Sequence, residues 1–269
     1  MTAGAGTVKE LRERTGAGIM DCKTALQETG GDMEKAIDYL RKKGVASAAK
    51  RAGREAKEGL VGTEIKGTTA VIVEANCETD FVARTEDFRA LLNLAMAEVS
   101  LSGEGAIASG KVADRVAELS GKIGEKILVR RAKKIQASGG AIFSYVHANQ
   151  KLGVLIELSG KDASKLAFLG KDLAMQVAAS NPLCVTRDQV PAAALEREKA
   201  IYREEIKGKP ENIVEKILAG KLEKFYQTNC LLEQAFIKDD KRSVKALMQE
   251  SGSDIKIKQF VRFQLGETV

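Results

Sequence analysis

The chain is short of the residues on which most catalytic and metal sites depend. It has no tryptophan and a single histidine, His147, among 269 residues. One histidine excludes most His-based acid–base catalysis and most zinc sites. The four cysteines are widely spaced and form no Cys-x-x-Cys pair, which argues against both zinc and a secreted disulfide framework. We expect reduced thiols and no cofactor.

Long apolar runs are also missing. No stretch approaches the roughly 20 apolar residues that a membrane helix needs, and no N-terminal segment resembles a signal peptide, so we expect a cytoplasmic protein. Aromatic residues make up only 4% of a chain that is 44% hydrophobic, which is typical of aliphatic, helix-rich packing. A net charge of +6 is compatible with a nucleic acid or an acidic protein as partner.

The stretch from Asn76 to Phe88 joins a predicted strand to a predicted helix. Residues 70–75 form a short β-branched apolar run, which is typical of a buried strand. Thr79 or Asp80 is placed to cap the helix that follows. Apolar residues recur at helical spacing along it: Phe88, Leu91, Leu92, Ala95, Met96 and Val99. The junction therefore presents an acid and an aromatic at the N-terminal end of a helix.

Phe81 has two interpretations. If the helix runs through Phe81, this residue and Phe88 lie on one face and both pack into the core. A first turn that carries Asp80 and Phe81 side by side cannot bury both, however. Either the acid or the aromatic then points toward solvent or a partner.

The first 55 residues predict a three-helix module that resembles the ubiquitin-associated fold. Glycine-containing turns at residues 16–18 and 30–32 separate the helices, and Gly44 is predicted to end the third. A core this small suits a binding module. The basic residues that follow are either a solvated helical linker or a patch for an acidic or nucleic-acid surface: Lys42, Lys43, Lys50, Arg51, Arg54 and Lys57.

The order hairpin, helix, strand then occurs twice, which predicts an α+β fold with two duplicated subdomains, each built on a small antiparallel sheet. The predicted strands are 60–65, 69–75 and 127–135 in the first copy, and 141–147, 152–158 and 255–263 in the second. An antiparallel helical hairpin interrupts the second copy. The predicted domains are 1–55, 56–139, 140–180 with 229–269, and the inserted hairpin 181–228.

No enzymatic constellation emerges from the sequence. Residues 105–112 nearly match a phosphate-binding loop, but Val112 supplies no hydroxyl for magnesium and no strand is predicted before them. Nucleophile–base pairs, paired acids and metal-ligand clusters are not evident. We therefore expect a protein without chemistry of its own.

Several separate motifs, in order, resemble those of the elongation factor Ts family, the nucleotide exchange factors of the GTPase elongation factor Tu. The signature is Thr79-Asp80-Phe81-Val82-Ala83-Arg84. The other matching segments are residues 11–23, 124–127 with Arg130-Arg131, 209–217 and 230–240. The resemblance covers essentially the whole chain and implies a translation factor that binds the GDP form of elongation factor Tu and accelerates GDP release.

The resemblance also implies which residues contact the partner. In the family, the residues matching Asp80 and Phe81 intrude between helices of the GTPase, where the aromatic enters an apolar pocket and the magnesium ion is displaced. Val82 and Ala83 complete this tip. The N-terminal module docks on another helix of the GTPase, with Arg12, Met20 and Lys23 as plausible contacts.

His147 and the helical hairpin are open to more than one interpretation. His147 is either an ordinary structural histidine or, as the family implies, a residue beside the GTPase, although Ala148 stands where many members have glycine. The hairpin resembles the family's coiled-coil projection, which contributes to homodimerisation in some members. Two rival functions stay open: a basic RNA- or ribosome-binding module, and an adaptor built on residues 1–55 alone.

Overall fold

The computed structural model describes residues 5–51, 53–208, 210–252 and 254–268, and only the backbone of residues 45–50, 211 and 212. The helices are α1 Ala5–Thr15, α2 Ile19–Glu28, α3 Met33–Arg51, α4 Asp80–Ala83, α5 Glu86–Ser102, α6 Gly110–Ile123, α7 Ala163–Ser180, α8 Ala192–Glu205, α9 Glu211–Asn229 and α10 Val244–Ser251. The strands are β1 Glu58–Lys66, β2 Thr69–Cys77, β3 Leu128–Gln136, β4 Ala141–Val146, β5 Leu152–Ser159, β6 Ala235–Phe236, β7 Asp239–Ser243 and β8 Lys256–Gln264.

The predicted α+β fold with a duplicated sheet is confirmed. One antiparallel sheet has the order β1-β2-β3, and the other has the order β4-β5-β8. Each central strand carries a register shift directly after a buried glutamate, Glu74 in β2 and Glu157 in β5. The two copies therefore share their strand order and the position of an irregularity.

The central strands are apolar without interruption because both of their faces are covered. In β2, Val73 packs under α5, whereas Ile72 faces the second sheet. In β5, Ile156 packs under α7 and Leu155 faces the first sheet. The result is a layer of helices on each outer side and two sheets in the middle.

The sheets approach closely where β1 meets β5. The amide of Val61 donates to the carbonyl of Gln150 at 2.7 Å. A Cβ atom on Gly153 would lie 2.7 Å from Cγ1 of Val61, which is too close for any other residue to fit without movement. Glycine at this position therefore permits the sheet-to-sheet contact.

The N-terminal module consists of α1, α2 and α3 around a small buried core that includes Leu11 and Leu26. The predicted stop at Gly44 is wrong, because α3 continues to Arg51. Gly44 instead lies against α6, where a Cβ atom on Gly121 would be 3.1 Å from the Gly44 Cα. The glycine serves close helix packing and does not end the helix.

Helices α8 and α9 form the inserted hairpin, with Ile206 and Leu218 buried. Helices α6 and α10 lie at residues 110–123 and 244–251, for which no element is predicted from the sequence. Residues 105–112, which nearly match a phosphate-binding loop, run from a 3-10 turn after helix α5 into the start of α6, and Lys111 is ion-paired with Glu98 at 2.8 Å. None of the described helices is long and apolar enough to cross a membrane. The domain boundaries given above stay a prediction.

Candidate functional site

A break in the helix separates Phe81 from Phe88. Thr79 caps the short helix α4, accepting a hydrogen bond from the Val82 amide at 3.4 Å. Thr85 caps the long helix α5 in the same way, through the Phe88 amide at 3.3 Å. The prediction that Thr79 or Asp80 caps the Phe88 helix is therefore wrong, because a second capping residue starts that helix anew.

The break gives the two aromatic rings opposite environments. Phe81 is 79% exposed, whereas Phe88 is completely buried in the core between the first sheet and helices α5 and α6, which we call the first core. Val82 and Ala83 are buried in the same core, so they anchor the short helix from below. The interpretation of Phe81 as a core residue is wrong, since the helix does not run continuously through both rings.

Asp80 sits beside Phe81 at the start of α4 and is partly exposed. Its Oδ2 atom accepts a hydrogen bond from the Arg84 guanidinium at 2.7 Å. We call residues Asp80–Arg84 the tip. It presents one large apolar ring and one ion-paired carboxylate on a single turn of helix.

Glu125 fixes the start of the tip from a different part of the chain. Its Oε2 atom accepts hydrogen bonds from the backbone amides of Glu78 and Thr79, both at 3.1 Å. Its Oε1 atom accepts from the Thr79 hydroxyl at 2.7 Å. Both carboxylate oxygens are therefore used to hold two consecutive residues before the tip.

Glu78 in turn accepts a hydrogen bond from the residue that follows Glu125. Its Oε1 atom accepts from the Lys126 amide at 2.6 Å and from the Arg54 guanidinium at 3.2 Å. Backbone and guanidinium donors stabilise the charged form, so the pKa of Glu78 lies below its usual value. We call this reciprocal arrangement of Glu78, Thr79, Glu125 and Lys126 the clamp.

Burial keeps the Cys77 thiol, which lies beneath the tip, in its protonated form. Cys77 is fully buried, and its sulfur donates to the Thr79 carbonyl at 3.1 Å. Burial raises the pKa of the Cys77 thiol to about 12. A thiolate is the reactive form of cysteine, so this residue contributes packing at neutral pH.

His147 lies just after β4 and is exposed. Its Nδ1 atom is 3.0 Å from Oδ1 of Asn149, and its ring meets Tyr145 edge-on at 6.4 Å. The same turn reaches the first sheet through an ion pair of 2.6 Å between Lys151 and Glu58, and Glu58 is the strand partner of Cys77. The His147 turn and the start of the tip therefore share one edge of the molecule.

Arg12, Met20 and Lys23 are all exposed on the N-terminal module, Met20 by 70%. Among the described residues, no hydrogen bond or ion pair joins these three side chains to the tip. Packing of α3 on α6 places the module on the first subdomain, and an exposed ion pair of 2.9 Å between Arg41 and Asp114 lies at this contact, beside a cleft of about 490 Å³. The exposed residues of the module therefore lie on a unit that packs against the first subdomain.

Most of the basic residues between Lys42 and Lys57, which we call the basic strip, contact other residues of the same chain. Lys43 pairs with Asp21 at 2.8 Å, and Arg51 donates to the Ser120 carbonyl at 3.1 Å. Arg54 belongs to the surroundings of the clamp, and Lys57 pairs with Glu55. The side chain of Lys50 lies outside the described residues. Much of the strip therefore neutralises neighbouring groups.

Sequence reasoning missed the role of Glu125. The signal was present, because Gly124-Glu125-Lys126-Ile127 belongs to a motif that carries the family resemblance, but nothing in the local sequence connects Glu125 to Thr79, 46 residues away. Among its described residues, the assembled site has no exposed thiol and no metal-ligand cluster. The site can present an exposed apolar ring and a carboxylate to a complementary surface.

Comparison with known proteins gives a consistent result. A sequence model of the family described as Elongation factor TS matches residues 78–267. Elongation factor Ts of Prosthecochloris aestuarii is 48% identical over 96% of this chain and 97% of its own length. The proteins of the same name from Chlorobium phaeobacteroides and Clostridium kluyveri are 46% and 45% identical, each over 97% of this chain, and over 98% and 92% of their own lengths. The chain therefore belongs to the elongation factor Ts family of translation elongation factors.

Proposed function

We propose that this protein binds the GDP form of elongation factor Tu and promotes GDP release, without chemistry of its own. The observation that supports the proposal most strongly is the 79% exposure of Phe81 on a tip whose base is clamped by Glu125. A large apolar ring held in water by a rigid support gains free energy when a partner covers it. Burial of such a side chain contributes about 1.5 to 3 kcal/mol.

Exchange is a coupling between two ligands of one GTPase. If the factor weakens GDP binding, GDP must weaken factor binding by the same ratio. The tip brings a carboxylate, Asp80, and an apolar wedge, Phe81, toward the phosphate and magnesium site of the GTPase. The Asp80 carboxylate repels the phosphates of GDP, and the Phe81 ring enters an apolar pocket between helices of the GTPase, so both groups favour the nucleotide-free arrangement over the GDP-bound one.

Further contacts extend the proposed interface. Arg12, Met20 and Lys23 dock the N-terminal module on a second helix of the GTPase, and His147 contacts it beside the tip. The net charge of +6 speeds encounter with an acidic partner. Cytoplasmic location and homodimerisation through the α8–α9 hairpin belong to the same proposal, which needs no direct contact with nucleic acid.

The test is release of a fluorescent GDP analogue from elongation factor Tu, followed with wild type and Phe81→Ala. We expect wild type to accelerate release and the variant to lose most of the effect, with binding weakened by about 2 kcal/mol or more. Leu101→Ala is the matched control, because Leu101 is 78% exposed and lies at the far end of α5. This control should accelerate release as wild type does.

Absence of any acceleration by the wild-type protein with its cognate GTPase would overturn the proposal. A salt-dependent gel shift with unrelated RNA would then favour a nucleic-acid-binding module. Full binding by residues 1–55 alone would instead favour an adaptor built on the three helices.

A further inference from the structure

Two of the four cysteines meet where the α8–α9 hairpin joins the second subdomain. We define the neck as residues 183–190, which lead into α8, and residues 226–233, which comprise the last turn of α9 and the residues after it. Cys184 and Cys230 form an isolated parallel bridge in the neck, and their Sγ atoms are 3.8 Å apart. We propose that this pair is an oxidation site, at which peroxide converts both thiols into a reversible disulfide that closes the hairpin covalently.

The backbone already holds the two residues in position. The Leu183 amide donates to the Asn229 carbonyl at 2.8 Å, and the Leu231 amide donates to the Cys184 carbonyl at 2.9 Å. Neighbouring chains paired in this way lie roughly 5 Å apart, within the range of Cα separations that a disulfide spans. Bond formation therefore needs a rotation of side chains and little movement of the backbone.

A charged cluster keeps the neck closed in the reduced state. The Arg187 guanidinium pairs with Glu223 at 2.9 Å and with Glu233, and it lies over the Tyr226 ring at 4.6 Å from the centroid. Arg187 thus joins the segment before α8 to α9 and to the segment after it. The thiols stay adjacent without depending on their own bond.

The two sulfurs differ in access, which assigns their roles. Cys184 is 7% exposed and Cys230 is fully buried. The Cys184 thiolate attacks one peroxide oxygen, so an S–O bond forms, the O–O bond breaks and the released hydroxide leaves as water. Cys230 then attacks the Cys184 sulfur, an S–S bond forms, and the S–O bond breaks with loss of a second water. Two thiols and one peroxide thus give one disulfide and two waters.

The other two cysteines lack this arrangement. Like the Cys184 sulfur, which donates to the Thr186 carbonyl at 3.1 Å, the sulfurs of Cys22 and Cys77 donate to backbone carbonyls, those of Ala17 and Thr79. Among the described residues, neither has a second thiol in contact. Burial raises the pKa of the Cys184 and Cys230 thiols, that of Cys230 to about 12, so oxidation is slow compared with an exposed thiol.

The test uses the full-length chain treated with hydrogen peroxide, then alkylated in denaturant and mapped by mass spectrometry. We expect one intramolecular crosslink between the peptides that carry Cys184 and Cys230, reversed by dithiothreitol, while Cys22 and Cys77 remain alkylated. In a Cys230→Ser variant the crosslink disappears, and dimedone traps a sulfenic acid on Cys184. The thermal midpoint of the wild type should rise by about 5 °C on oxidation and stay unchanged in Cys230→Ser.

Three results would overturn the assignment. They are crosslinks between separate chains, oxidation of Cys22 or Cys77 ahead of the pair, and conversion of Cys184 to sulfinic acid without a crosslink. Peptide mapping of the wild type decides among them without any variant. The outcome does not depend on GDP release, so it stands apart from the proposed function.

Discussion

Phe81 and Phe88 lie seven positions apart, yet one ring is in water and the other is in the core. The separation fits one face of a continuous helix, but Thr85 caps a new helix between them. Side-chain direction follows the local backbone, so the break removes the geometric basis for treating the two rings alike. The same substitution should therefore have different consequences at the two positions.

We expect Phe88→Ala to lower the free energy of unfolding by about 3 to 5 kcal/mol, because it leaves a cavity in the first core. Phe81→Ala should change the free energy of unfolding by about 0.5 kcal/mol or less, since its ring contacts mainly solvent. Urea denaturation of both variants and the wild type measures this difference. A comparable loss in both would mean that Phe81 is packed inside the protein in solution.

The hydrogen bonds of the clamp predict that the tip depends on the Glu125 carboxylate. Glu125→Gln leaves one acceptor oxygen in place of two, so either the backbone amides of Glu78 and Thr79 or the Thr79 hydroxyl loses its acceptor. Loss of an acceptor by a buried donor is unfavourable by about 1 to 3 kcal/mol, and these donors are partly buried. We expect a several-fold loss of GDP-release acceleration from a folded protein.

The control for Glu125 is Glu118→Gln, on the exposed surface of α6, where the carboxylate pairs with Arg115 at 2.7 Å. This change should leave GDP release near wild type. Circular dichroism and the thermal midpoint report folding for both variants. Unaltered release by a folded Glu125→Gln would show that the tip keeps its geometry without the clamp.

The tip is an insertion when the two copies of the fold are compared. The connection from central strand to long helix covers residues 78–85 in the first copy and only residues 160–162 in the second. Asp162 alone caps α7, whereas the first copy has two caps in succession, Thr79 and Thr85. The duplicated fold therefore forms without a tip, and the added residues are free to serve binding.

Deleting Asp80–Arg84 should test this comparison. The shortened connection keeps Thr85 as the cap of α5 and has the same length as that of the second copy. We expect a folded protein with no acceleration of GDP release and with a lower thermal midpoint, because Val82 and Ala83 leave the core. The control that keeps the wild-type chain length is Asp80→Ala/Phe81→Ala, which should lose the acceleration of GDP release with a smaller change in thermal midpoint. Retained acceleration in the deletion would place the exchange determinant elsewhere.

The sequence predicted the elements with the clearest patterns. Residues 69–75 and 152–158 were predictable as strands because both faces of each are buried, which leaves an apolar run. No helix is predicted from the sequence of residues 110–123, although they form α6. The exposure of Phe81 does not follow from the sequence alone, because it depends on which of several threonines and acids caps the helix. Which of these residues caps a helix depends on tertiary contacts of the turn, such as the packing of Val82 in the core.

Long-range contacts between the sheets could not be predicted from local patterns. Glu74 of β2 is completely buried and accepts hydrogen bonds from Arg131 at 2.6 Å and from the Gly266 amide at 3.0 Å. Arg131 also donates to the Gln264 carbonyl and lies over the Phe263 ring at 4.2 Å. The chain separation of 192 residues between Glu74 and Gly266 hides this interaction from any sequence window. Its effect is to fasten the end of β8 to the first sheet.

Removal of the Glu74 carboxylate should therefore destabilise the contact between the two sheets, and not the first sheet alone. Glu74→Ala removes the acidic partner of the half-buried Arg130 and leaves Arg131 only its 3.4 Å pair with Glu267, and breaking a buried pair by removing one member is unfavourable by about 3 to 5 kcal/mol. Glu157 is the matched control, because it occupies the equivalent position in β5 but accepts from neutral groups, the Ser138 amide and the Gln259 side chain. We expect Glu74→Ala to lower the midpoint of urea unfolding more than Glu157→Ala, and to expose the amides of β8 to hydrogen exchange. Equal losses in the two variants, with β8 still protected, would show that packing between the sheets holds the two halves together without the ion pair.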